Sequence, residues 1–165
     1  MFGFLNIYKP SGITSHDVIN RLRRILKIKK IGHGGTLDPL AEGVLPVAIS
    51  HATRLIDFLP VEKEYLAKFK LGVVSKSYDS ETEEEFFSDK KVSADEIKNV
   101  LENFKGEIQQ KPPIYSAVKV GGKKLYELAR EGETCDIQER TIVVNKILLQ
   151  NFDVETQTGE LLINC

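Results

Sequence analysis

Residues 32–43 read GHGGTLDPLAEG, and the rest of the chain is best read outward from them. Asp38 stands between Leu37 and Pro39, with four glycines and His33 around it. A residue that precedes proline is pushed toward extended backbone, which limits how Asp38 aims its side chain. Glycines nearby let a second backbone or a ligand come close. A carboxylate held this way can serve as nucleophile, general base or electrostatic stabiliser. It can equally cap the turn that LAEG begins, a common task for aspartate. The residues of the loop leave both readings open.

Residue content argues against several other chemistries. The glycines are not followed by the Lys-Ser/Thr pair of a phosphate-binding GxxxxGK[ST] loop. GHGG has the look of an oxyanion-hole loop, but no GxSxG partner occurs in the 165 residues. His16, His33 and His51 lack ligand spacing with acids or cysteines, so no metal site is expected. His33 alone reads as a hydrogen-bonded structural histidine. Cys135 and Cys165 also lack metal-ligand spacing and read as free thiols in a reducing cytoplasm.

With 41% hydrophobic and 28% charged residues, the composition is that of one ordinary globular domain. The apolar runs, such as VLPVAI, are far too short to span a bilayer, and MFGFLNIYKP does not read as a signal peptide. A net charge of −1 hides an asymmetry. Residues 1–60 hold eight Lys/Arg against four Asp/Glu, whereas residues 61–165 hold fifteen against twenty. A local basic surface can hold a polyanion on a chain that is near neutral, although charge alone fits a solvated helix face as well.

FGFLNIYK reads as a strand ending in the turn Lys9-Pro10-Ser11-Gly12. Thr14 and Ser15 offer N-caps for a helix whose Val18, Ile19, Leu22, Ile25 and Leu26 form an apolar stripe. Arg21, Arg23, Arg24, Lys27, Lys29 and Lys30 run along or just past it. After the glycine-rich loop, VLPVAI reads as a buried strand, with Pro46 arguing for an edge or a bulge. HATRLIDFL suits a short helix, EYLAKFKLG a half-buried strand, and the acidic residues 75–91 an exposed loop or hairpin. Ser93 and Glu96 match a capping box ahead of Ile97, Val100, Leu101 and Phe104. IYSAVKVGGKKLYELAREG reads as a short strand, a Gly121-Gly122 turn and a helix ending at Gly132. TIVVNKILLQNFDVE and GELLINC read as two strands joined by a polar turn. Strands and helices do not alternate as βαβ units, so the expected class is α+β, with a mixed or mostly antiparallel central sheet flanked by helices and loops.

Four stretches, in order, resemble the bacterial TruB family of tRNA pseudouridine-55 synthases. GHGGTLDPLAEGVLPVAIS is similar to its catalytic motif, and GFLNIYKPSGITSHDV to its opening Lys-Pro-x-Gly-x-Thr-Ser segment. KEYLAKFKLG resembles its Lys-x-Tyr strand. QKPPIYSAVKVGGKKLYELAREG resembles its Pro-Pro-x-Tyr-Ser-Ala and Leu-Tyr-x-x-Ala-Arg-x-Gly segment. The resemblance covers essentially the whole chain. It implies a pseudouridine synthase-like catalytic domain with an RNA-clamping, thumb-like segment at about residues 105–132. It also implies an isomerase acting on uridine 55 in the T-loop of tRNA, without metal or cofactor; the alternative is a non-catalytic RNA-binding or tRNA-remodelling fragment of such an enzyme. The uracil is detached from C1′, rotated and rejoined through carbon, with Asp38 as the single catalytic carboxylate.

Flipping the target base costs a few kcal/mol. Stacking on an aromatic ring offsets about 1–3 kcal/mol of it, and the resemblance gives that task to Tyr65. It places His33 in the space the base vacates. Lys9, Gly35, Thr36 and Leu37 are the other residues it brings to the substrate, with Lys9 and Pro10 supporting the active-site loop. Lys119, Lys123, Lys124 and Arg24 are the expected contacts to the RNA backbone, and Tyr115 and Tyr126 are expected to pack. The implied partner is the T-arm stem-loop of tRNA, in the cytoplasm, with no membrane and no obligate protein partner.

Two departures accompany the resemblance. Ser75, Lys76, Ser77 and Asp79 stand where the family shows Thr-Asp-Thr-x-Asp. The family's Gly-x-Tyr-Ile-Arg segment, whose arginine pairs with the aspartate, and its small C-terminal RNA-binding domain have no counterpart in these residues. The expectation is therefore the N-terminal part of a catalytic domain, incomplete at the C-terminus.

Overall fold

A computed structural model describes residues 1–60, 62–113, 119–120, 123–124 and 137–165. The chain divides into two units, Met1–Val61 and Glu62–Cys165. The first is built on β1 (Gly3–Lys9), α1 (Ser15–Leu26), β2 (Ile31–His33), β3 (Gly43–Ile49) and a 3-10 helix (Ser50–Phe58). The segment HATRLIDFL thus forms the tighter helix rather than an α-helix.

The strands make one antiparallel sheet in the order β1-β3-β2. Alternation along β1 turns Leu5, Ile7 and Lys9 inward and leaves Phe4, Asn6 and Tyr8 exposed. The stripe on α1 buries Val18 and Ile19 against Ile31, Leu45 and Val47, with Leu5, Ile7, Leu22, Leu26 and Leu37 packed around them. Burial of each such aliphatic side chain is worth about 1.5–3 kcal/mol.

Thr14 caps α1, as its sequence position suggests. Its hydroxyl accepts from Asp17 N–H at 3.0 Å, and the Asp17 carboxylate accepts from Thr14 N–H at 2.9 Å and from its hydroxyl at 2.6 Å. These bonds, the side-chain one first, hold the Asp17 carboxyl below its ordinary value. A carboxyl lowered by folding stabilises the fold fully above the ordinary carboxylate range and loses that contribution as pH falls through its folded value. Thr14→Ala should therefore raise the Asp17 pKa toward the ordinary value, and an NMR pH titration of its side chain reads the change directly. An unmoved titration would show that the cap does not set the carboxyl.

Pro46 sits in the central strand, not at an edge or bulge. The pairs Gly32↔Ala48 and Asn6↔Pro46 fix the alternation. The Pro46 carbonyl faces β2, where it accepts from Gly34 N–H at 2.8 Å. Its nitrogen faces the same way, so the missing donor falls at the one place where β2 has already ended, at His33. The proline removes half of a final pair and disturbs nothing on the β1 side.

The second unit contains β4 (Glu64–Lys70), β5 (Val73–Val74), β6 (Glu85–Phe86), α2 (Ala94–Leu101), a short 3-10 turn (Glu102–Phe104) and β7 (Gly106–Gln110). β8 (Lys119–Val120), β9 (Lys123–Lys124), β10 (Arg140–Val144), β11 (Lys146–Asp153) and β12 (Thr158–Asn164) follow. All strand pairs among the described residues are antiparallel, in the orders β11-β12-β4, β10-β7, β5-β6 and β8-β9. The Ser93–Glu96 capping box forms as its spacing predicts. Leu101, Val144 and Ile147 make the buried centre, with Ile97, Ile108, Ile142, Leu149, Leu161 and Ile163 around them.

One expectation changes here, and one strand is unforeseen. TIVVNKILLQNFDVE is two strands rather than one, divided at Asn145, whose N–H donates to the Asn164 carbonyl at 2.9 Å. GEIQQ, to which the sequence assigns no element, is a strand that pairs with β10. Residues 75–91 do form a hairpin-like excursion that returns as β6 onto β5. The departing segment is closely knit: Ser77 Oγ donates to Asp79 Oδ1 at 2.5 Å and meets Thr82 Oγ1 at 2.8 Å, while Asp79 Oδ1 accepts from Glu81 N–H at 2.9 Å.

Gly72 holds the base of that excursion. Its carbonyl accepts from Phe87 N–H at 2.9 Å and Ser88 N–H at 3.2 Å, and its φ is +81°. A Cβ there would lie 2.6 Å from the Ser88 carbonyl oxygen. Gly72→Ala combines left-handed strain with a clash against backbone and should cost about 2–3 kcal/mol. The denaturation midpoint of the intact protein checks this, and an unchanged midpoint would contradict it.

Candidate active site

Pro10 to Ile13 and the loop that follows β2 are drawn together by hydrogen bonds of long sequence range. Lys9, at the inward-facing end of β1, is 0% exposed. Its ammonium donates to the carbonyls of Ile13 at 2.7 Å, Pro10 at 3.0 Å and Pro39 at 3.2 Å, using all three of its protons. Gly12, with φ +84°, adds a bond from its N–H to the same Pro39 carbonyl at 2.8 Å. On the other side of Asp38, Leu37 donates its N–H to Ser15 Oγ at 2.9 Å and accepts from that hydroxyl at 3.0 Å. The Leu37 side chain packs on the core under α1.

Asp38 is thus flanked by two residues whose backbones are both pinned. Its own carbonyl accepts from Ala41 N–H at 3.1 Å, closing a turn. Its side chain is exposed and makes no hydrogen bond or ion pair among the described residues. The turn-capping alternative would engage that carboxylate with turn amides, and it does not. What remains is a carboxylate with all four lone-pair positions open, on a backbone that has little freedom to move.

The other residues expected at the site distribute as follows. Gly35 and Thr36 lie in the same loop, Gly35 half-buried and Thr36 exposed. His33 ends β2, and its buried Nδ1 has no hydrogen-bond partner among the described residues. At that nitrogen, among the described residues, it lacks the hydrogen bond that the residue alone suggested. Next to the loop, Tyr8 is exposed, and its phenol is raised above the ordinary value first by a hydrogen bond to Glu42, then by desolvation and by that residue's charge.

Tyr65 belongs to the second unit, on β4 opposite Ile163, and is partly exposed. Arg24 is exposed on α1. Arg23, from the same basic run, is engaged within the unit: its guanidinium donates to the carbonyls of Lys29 at 3.1 Å and Ile31 at 3.3 Å and to Asn20 Oδ1 at 3.2 Å. The backbones of Lys119, Lys123 and Lys124 form a small antiparallel ladder, β8 with β9. Tyr115, Tyr126, Cys135, the Gly121-Gly122 turn and the helix expected to end at Gly132 lie outside the described residues.

Reading the sequence missed Ser15 and Gly12 as parts of this arrangement. A serine beside Thr14 at a helix start reads as a cap, and Gly12 reads only as a turn residue. Among the described residues no group of three or more His, Cys, Asp or Glu side chains could hold a metal ion.

The chain as a whole is similar to known proteins. A family model described as TruB family pseudouridylate synthase (N terminal domain) matches residues 23–165. The tRNA pseudouridine synthase B of Clostridium novyi (strain NT) is 50% identical over 155 residues, covering 93% of this chain and 54% of the relative. That of Synechocystis sp. (strain ATCC 27184 / PCC 6803 / Kazusa) is 48% identical over 169 residues, covering 100% of this chain and 56% of the relative. Among solved structures, the crystal structure of a Cbf5-Nop10-Gar1 complex superposes with a TM-score of 0.72 at 34% identity, covering 99% of this chain and 39% of that one. The structure of an H/ACA RNP bound to a substrate RNA containing 2′-deoxyuridine gives 0.65 at 30% identity, with 99% and 37% covered.

The fold is therefore that of a pseudouridine synthase domain. The chain belongs to the TruB family, as a match to its N-terminal domain, and it spans about half the length of the curated relatives it matches.

Proposed function

We propose that the protein is a tRNA pseudouridine synthase that isomerises uridine 55 in the T-loop, with Asp38 as the catalytic carboxylate. The observation that carries this is the bracketed Asp38: both neighbours are fixed by hydrogen bonds while its own carboxylate is unengaged among the described residues. The reaction asks for one positioned carboxylate, and a rigid backbone keeps it in place without the entropic cost of ordering it during turnover. The relatives named tRNA pseudouridine synthase B support tRNA as the substrate. In this reading Tyr65 stacks on the extruded uracil and His33 fills the vacated position, offsetting the cost of unstacking. Lys119, Lys123, Lys124 and Arg24 face phosphates, and the protein works in the cytoplasm.

The test is tritium release from tRNA transcripts carrying C5-tritiated uridine, with a transcript in which position 55 is cytidine as control. Release by the intact protein from the first and not the second is expected. Equal release from both would overturn the position, and no release from either would overturn the activity. A second reading, an RNA-guided enzyme working inside a protein complex, is favoured by the solved neighbours, which are a Cbf5-Nop10-Gar1 complex and an H/ACA RNP. Turnover on free tRNA with no added protein or guide separates the two.

A further inference from the structure

Ser15 occupies the first position of α1, yet its side chain leaves the helix, because Thr14 performs the capping. The residue is 2% exposed. Its one hydroxyl meets the Leu37 backbone twice, donating to the carbonyl and accepting from the N–H at 3.0 and 2.9 Å. It does for Leu37 what a neighbouring strand would do, across 22 residues of sequence. The two flanks of Asp38 differ in this respect. Pro39 is held by two separate donors, Lys9 and Gly12, whereas both backbone bonds of Leu37 end on one oxygen atom.

We propose that Ser15 is a positioning residue for Asp38, setting the orientation of the peptide between Leu37 and the aspartate. The inference rests on the reading of Asp38 as the reacting carboxylate. Without the hydroxyl, the Leu37 N–H and C=O lose their shared partner, and the peptide plane can rotate toward other donors and acceptors. Misplacing a reacting group by about 1 Å can cost about 100-fold in rate. The hydroxyl is turned into the protein, so substrate affinity does not depend on it.

The experiment compares Ser15→Ala with the parent in the intact protein, with turnover expressed per folded molecule counted by circular dichroism. Ser15→Ala should lower kcat about 10- to 100-fold and leave KM for tRNA unchanged. Hydrogen exchange at the Leu37 amide should become faster while amides in β1 and β3 keep their protection. Ser15→Thr, which retains the hydroxyl, should recover most of the rate relative to its isostere Ser15→Val, which removes it. Unchanged kcat in Ser15→Ala, or equal rates for the Thr and Val variants, would overturn the proposal. So would a loss of folding in all three, since Ser15 would then serve the fold as a whole. Asp38→Asn is run beside them. If that variant turns over normally, the assignment of Asp38 has failed; if it is inactive while Ser15→Ala is fully active, only the role of Ser15 has.

Discussion

Asp38→Asn is expected to lower turnover on tRNA by about a thousandfold or more while leaving tRNA binding intact. Asparagine keeps the shape and the backbone preferences of the position, so the Leu37 and Pro39 attachments survive, and only the anionic oxygens are lost. Removal of a group that acts as base or nucleophile costs about 10²–10⁴ in rate. Parallel measurement of tritium release and of tRNA affinity by filter binding checks this. Loss of both together would point to a disrupted surface, and full turnover would remove Asp38 from the chemistry.

Lys9→Met is expected to have the second largest effect. The methionine stem fills nearly the same volume, but three carbonyls lose their common donor, and the connection between the β1–α1 turn and Pro39 is reduced to the single Gly12 bond. Hydrogen bonds to a charged donor contribute about 1.5–3 kcal/mol each, and relief of the ammonium's own desolvation offsets part of their loss. A net destabilisation of about 2–4 kcal/mol follows, read from the denaturation midpoint of the intact protein. Lys9→Arg should not rescue it, because a planar guanidinium cannot converge on three carbonyls clustered around one point. A variant with the parent's midpoint and the parent's rate would sink the idea that this ammonium holds the loop.

The parts of this structure that were legible in the sequence are those set by neighbours along the chain. Thr14 and Ser93 with their acids three residues on, the stripe on α1, and the alternation of β1 are local patterns with one structural solution each. Strand β7 was not legible, because GEIQQ has little apolar character and its partner β10 lies some thirty residues away. The division at Asn145 was hidden by the continuous apolar character of the residues on both sides, which serves two different sheets. At the site, the family motif singled out Asp38, but nothing local indicates what aims it. The bonds that do so span 22 and 30 residues; the resemblance gives Lys9 a part in supporting the loop, but Ser15 stands at a position that suggests only a cap.

Pro46 has one more consequence. Antiparallel strands in solution can fray or zip by a rung, and any such exchange lengthens or shortens the segment hanging from their ends. With no proton on the Pro46 nitrogen, β2 cannot gain the rung that would shorten the glycine-rich segment, and the Gly34 bond to the Pro46 carbonyl resists losing the one it has. The arm that carries the carboxylate therefore has a constant contour length. A residue with an N–H at position 46 would give that arm slack to take up.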